Sequence, residues 1–173
     1  MGISRSTYEL TGGFTKMRFG EDIDLSIRIY KCGLHAKLIP ECYVYHKRRS
    51  NFKSFFKQVF NSGIARINLF KRHHKAIKIV HFFPAAFVAY QLLSVPHAIY
   101  HQSFAVIYPT LIYLFLILAD ASFKLKSVWI GALSVLASIV QLAGYGFGFI
   151  VGFVRRILLR QPEFHAYDRN FYG

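Results

Sequence analysis

The chain has 173 residues, is 54% hydrophobic with a mean hydropathy of +0.31, and carries a formal net charge of +14. Its length fits one domain, and its charge is segregated: 16 of the 22 Lys and Arg residues lie at or before Lys78. Cys32 and Cys42 are its only cysteines and form no CxxC pair, so neither a disulfide framework nor a zinc site is supported, and two reduced thiols are expected.

Residues 1–20 read as loop, with Gly12-Gly13 as a turn and Phe14 after it. No apolar run opens the chain, so a cleaved signal peptide is not expected. From Glu21 to Cys32 the period becomes helical. Ile23, Ile27 and Tyr30 share a face, Asp24 can meet Arg28 one turn on, and Gly33 is a natural stop. Two short alternating runs at 36–39 and 43–46, separated by Pro40-Glu41, are predicted as strands.

Asn51 can cap the next helix. Phe52, Phe55, Phe56, Val59 and Phe60 recur at helical spacing, and Lys53, Lys57, Gln58 and Asn61 take the other face. An aromatic face opposite a lysine-bearing one predicts a helix lying in a membrane interface, about 51–72. The same segregation counts against nucleic acid as a partner, which calls for basic residues interleaved with exposed aromatics.

Between Lys78 and Lys124 there is no Lys or Arg and the only carboxylate is Asp120; residues 128–154 carry no charge. Crossing a bilayer takes about 20 mostly apolar residues. Three spans are predicted, about 76–97 with Pro84 inside, 103–120 with Pro109 inside, and 128–154. A polar tail follows at 161–173. The third span is rich in small residues from Ala143 to Gly152, which permit close helix packing. The expected location is the plasma or inner membrane, with residues 1–75 on the cytoplasmic side. Three crossings then put Lys124 and Lys126 inside, as the positive-inside rule requires, but leave Arg155 and Arg156 outside, which it does not. A Gly-rich stretch that turns back or lies along the interface is the alternative.

The chemistry-bearing motif is Gly20-Glu21-Asp22-Ile23-Asp24. Carboxylates in a first helical turn are favoured by the macrodipole, which by itself explains Glu21 and Asp22. The dipole also keeps Asp22 ionised, and a carboxylate at a loop–helix junction is suited to general-base work on a hydroxyl.

The ordered series Gly12-Gly13-Phe14, Glu21-Asp22, Gly33, Pro40, Tyr45-His46, Arg48-Arg49, Gln58, Gly63 and Arg66 resembles the C-terminal part of the catalytic domain of family 2 glycosyltransferases, inverting enzymes of the GT-A fold. The likeness covers roughly residues 8–75, and the apolar tail resembles that of membrane-anchored members. It implies an α/β fragment in residues 1–75, followed by about three transmembrane helices. It implies Asp22, with Glu21 beside it, as the base that deprotonates the acceptor hydroxyl. Gly12, Gly13 and Phe14 would lie near donor sugar and acceptor. His46 would help hold a divalent metal (Mg or Mn), although it reads equally as a strand-end histidine. Arg48, Arg49, Gln58 and Arg66 would contact diphosphate or acceptor; singly, each also reads as surface charge or polarity facing lipid headgroups. The expected donor is a nucleotide-sugar, and the acceptor a lipid-linked or exported glycan. The nucleotide-binding half that opens a complete enzyme of this family, with the metal motif that half carries, is not found in residues 1–20, which hold a single acid, Glu9, so the isolated fragment is expected to be inactive. A non-catalytic small membrane protein with a basic, lipid-binding front is the rival reading.

Overall fold

The computed structural model describes residues 2–46 and 50–163. It is built from helices: α1 (Arg5–Thr11), α2 (Glu21–Lys31), α3 (Phe52–Arg72), α4 (Phe83–His101), α5 (Tyr108–Leu125) and α6 (Val128–Phe153), with short 3-10 turns between α3 and α5. Among the described residues there is no strand or sheet, which overturns the expected α/β fragment. Residues 36–39 and 43–46 are not strands. Leu38, Val44 and Tyr45 are 86%, 88% and 95% exposed. Alternation alone does not make a sheet; a strand needs a neighbour to take its backbone hydrogen bonds and its apolar face.

Residues 5–11, expected as loop, form α1. Ser4 caps it by accepting the Thr7 N–H at 3.2 Å, and Gly12 ends it in the left-handed region. α2 starts and stops where the sequence placed it. Past its end, Gly33 at φ +75° lets the Gly33 and Leu34 amides bond back to Tyr30 and Ile29. Asn51 caps α3, its side-chain oxygen accepting the Ser54 N–H at 2.8 Å.

Among the described residues three helices are long and apolar enough to cross a membrane, within 79–101, 104–125 and 128–158. Little of their apolar surface is covered by the protein itself, as expected for an integral membrane protein rather than a soluble core. The first two begin later than the sequence suggested. Pro84 and Pro109 sit in the first turns of α4 and α5, where no N–H is required, rather than inside a helix. Only Pro96 lies within one.

α6 is the organising element, contacting α3, α4 and α5. Its C-terminal half carries Gly144, Gly148 and Gly152 four residues apart, and α3 lies along that row. Phe56 and Val59 meet Gly144, Phe60 meets Gly148, and Ile64 and Ile67 meet Gly152. The two helices therefore run parallel. A Cβ on Gly63 would strike the Tyr145 carbonyl, and one on Gly148 would strike the Phe60 carbonyl. Backbone contact this close is what small residues in membrane helices allow.

Candidate functional site

The two carboxylates singled out in the sequence open α2. Its N-cap, Gly20, adopts φ +83° and supplies no side-chain cap. A Cβ there would sit 3.3 Å from Leu69 Cδ1, so glycine also lets the start of α2 lie against α3. α3 presents Lys57, Gln58, Asn61 and Arg66 on the side facing α2. Together with Glu21 and Asp22 they line an open groove of about 800 Å³. Arg66 is half-buried, and among the described residues its Nε finds no hydrogen-bond partner.

A buried polar network holds the groove's two walls together. Asp24 is 1% exposed. One carboxylate oxygen meets Arg28 at 2.9 Å and the Thr15 hydroxyl at 3.1 Å; the other meets His73 Nε2 at 2.8 Å. Arg28 goes on to donate to the carbonyls of Thr11 and, at 2.6 Å, Gly13. His73 is the residue that ends α3, and its Nδ1 lies 2.9 Å from Lys31 Nζ. Burial pushes the Asp24 carboxyl up. The hydrogen bonds from His73 and Arg28, the Arg28 charge and the Thr15 hydroxyl outweigh it, so the acid ionises below its ordinary range. Asp24 thus fixes α2 to the end of α3 and the Gly12-Gly13 turn to α2.

Four of the residues expected at a site meet in the groove: Glu21, Asp22, Gln58 and Arg66. Asp22 is exposed, with one carboxylate oxygen accepting the Ile23 N–H at 2.9 Å. Gly12, Gly13 and Phe14 do not line the groove. Gly12 ends α1, Gly13 offers its carbonyl to Arg28, and Phe14 packs edge-on against Tyr8 with ring centres 6.3 Å apart. His46 is exposed and away from the groove lining. Arg48 and Arg49 lie outside the described residues.

The described residues contain no cluster of three or more His, Cys, Asp or Glu side chains able to hold a metal ion. Among the described residues Glu21 and Asp22 are the only acids lining the groove, so a divalent cation there would take further ligands from elsewhere.

Sequence reasoning missed Asp24 as the hub and His73 as its partner. The Asp24–Arg28 pair was legible from its spacing, but His73 is 49 positions away and only the α2–α3 packing brings it in. Lys57, Asn61 and Ser62 as groove residues had a signal: with Gln58 and Arg66 they form a polar stripe down α3. No protein-family description, curated protein or solved structure matches this chain.

Proposed function

We propose that this chain is the membrane-bound, acceptor-handling part of a glycosyltransferase that inverts the sugar's anomeric centre. What supports this reading is the groove. Glu21 and Asp22 at one helix start, and Gln58 and Arg66 on another helix, are gathered at one polar opening beside apolar helices. The carboxylates form one wall and the cationic Lys57 and Arg66 line the other, a pairing suited to a hydroxyl that must lose a proton and a diphosphate that must leave.

In this reading Asp22 accepts the acceptor's proton as the hydroxyl oxygen bonds to the anomeric carbon. The bond from that carbon to the diphosphate oxygen breaks on the opposite face, and Arg66 and Lys57 receive the departing negative charge. Glu21 keeps the approach polar, and Gln58 offers hydrogen bonds to either substrate. The nucleotide-binding part would come from polypeptide outside these residues. A divalent cation, expected from the family resemblance, would draw its main ligands from that part, and no step above depends on it. A lipid-linked or exported glycan is the acceptor that fits a site beside membrane helices.

The test is sugar transfer from radiolabelled nucleotide-sugars into the lipid and glycan fractions of membranes from the source cells. Membranes whose gene encodes Asp22→Asn are compared with wild type. Loss of a positioned general base costs about 10²–10⁴-fold in rate, and Glu21→Gln should cost less. Transfer at the wild-type rate by the Asp22→Asn protein rejects the assignment. Absence of any transfer that depends on the gene favours the non-catalytic membrane protein, in which Glu21 and Asp22 serve only their own helix.

A further inference from the structure

The paths of α3 and α6 bear on which parts of the chain share a side of the membrane. α3 carries Lys53, Lys57, Arg66, Lys71 and Arg72 along its whole length. Burying a charged residue mid-membrane costs about 2.5–3.5 kcal/mol on insertion scales, so α3 does not cross. Its C-terminal end is tied to the front segment through His73, which meets both Asp24 and Lys31.

The same end is tied to the far end of the chain. The Asn68 side-chain oxygen accepts from Arg156 Nε at 2.7 Å, Lys71 donates to the Arg156 carbonyl at 3.1 Å, and Arg72 pairs with Glu163 at 3.1 Å. Because α3 and α6 run parallel, these bonds continue the contact row set by Gly144, Gly148 and Gly152. The apolar helix containing α6 spans 31 residues. At 1.5 Å per residue that is roughly 46 Å, against a hydrocarbon core of about 30 Å. Its C-terminal part can therefore project beyond the core, alongside α3.

The other helices fix the opposite pole. Gly131, near the start of α6, lies against Leu118 and Ser122 near the end of α5. α5 and α6 are thus an antiparallel hairpin whose tip carries Lys124 and Lys126. α4 begins beside the C-terminal half of α6, where Pro84 and Val88 meet Gly146. Halfway along α4, Tyr90 donates to the Val106 carbonyl and Gln91 accepts from the Thr110 hydroxyl at 2.9 Å. By residues 106–110 the chain is back at the level it occupied at 90.

We propose that the front segment and the C-terminal end of α6 lie on one face of the membrane, that α5 and α6 are the crossing hairpin, and that α4 enters and returns without crossing. The number of crossings is then even. This assignment removes the charge conflict of a three-crossing chain. The 16 basic residues up to Lys78 join Arg155, Arg156 and Arg160 on one side, leaving Lys124 and Lys126 on the other. The rule for basic residues makes the richer side cytoplasmic, where those cations face anionic headgroups. The inference stands whether or not the groove performs glycosyl transfer.

Membrane-impermeant maleimide applied to sealed vesicles of each orientation tests it on the full chain. Wild type reports the front through Cys32 and Cys42, both exposed thiols. In a Cys32→Ser, Cys42→Ser background, Leu159→Cys reports the end of α6 and Lys124→Cys the hairpin tip. Detergent-opened vesicles give total reactivity. The expected result is labelling of the front thiols and the Leu159→Cys protein in the same vesicle orientation, and of the Lys124→Cys protein only in the other. Labelling of the Leu159→Cys protein together with Lys124→Cys, or of all three in one orientation, overturns the proposal. Should a variant fail to insert, protease-removable tags at both ends of the otherwise wild-type chain decide the same point. Loss of both tags from one vesicle orientation supports the assignment, and loss from opposite orientations refutes it.

Discussion

Replacing Asp24 by Ala should release α2 from α3 while leaving the membrane helices folded. The Asp24 side chain is 2% exposed, and its partners Arg28 and His73 are 21% and 9% exposed. Removing one member of a buried charged network costs about 3–5 kcal/mol, because the partners stay buried without their counter-charge. Arg28 keeps its bonds to the Thr11 and Gly13 carbonyls and retains some contact with water, which places the loss near the lower end, about 3 kcal/mol. At about 1.4 kcal/mol per factor of ten, amide exchange that proceeds through opening of α2 should accelerate by about 100-fold or more. Hydrogen exchange of the detergent-solubilised protein, read at α2 and at residues 12–20, measures this, with α5 and α6 as unaffected internal controls. Asp24→Asn keeps an acceptor of the same shape but loses the charge, and should give a smaller acceleration, of order tenfold for a loss of about 1.5 kcal/mol. Protection of α2 within a few-fold of wild type in the Asp24→Ala protein would refute the claim that this network joins α2 to α3.

The same group sets an acid limit. Because the Asp24 carboxyl ionises lower when folded than when unfolded, its stabilisation is fully present above about pH 4 and is lost as the pH falls through the folded value. After correction for intrinsic exchange, the protection of α2 attributable to the Asp24 carboxylate should decline as the pH falls below about 4, and the Asp24→Asn protein should lack that component. At the α3–α6 contact, Gly148→Ala places a methyl against the Phe60 carbonyl, where backbone rather than a flexible side chain must move. Overpacking of this kind costs about 1–3 kcal/mol and should lower the melting midpoint in detergent by about 5 °C. Gly33→Ala, with open space around it, should perturb only its own left-handed turn.

Helix starts and stops followed local chemistry, so they were legible where a cap or breaker spoke for itself. Asn51 and Gly33 act at the ends they mark. Pro84 and Pro109 lie inside the first two apolar spans, as hydropathy implies, and only the backbone shows that they serve as first-turn residues of α4 and α5. The alternating runs at 36–39 and 43–46 have the period of strands, but strand formation is a pairwise property and no pairing partner lies among the described residues. Of the expected site, Glu21, Asp22, Gln58 and Arg66 were readable singly as residue types. That they share one groove depends on α2 seating against α3 at Gly20, which no window of sequence contains.

Membrane residence was therefore determined by sequence alone. Three uncharged or nearly uncharged stretches of sufficient length leave no soluble way to bury their apolar surface. Which of those stretches meet, and which ends share a side, was decided only in three dimensions. Glycines at 63, 144, 148 and 152 bring two backbones into contact, and a buried carboxylate 49 residues earlier in the chain holds the end of α3. Composition fixes the solvent a segment prefers, because transfer free energy adds residue by residue. Packing fixes its neighbours, because close contact and buried hydrogen bonds depend on atoms that are distant along the chain.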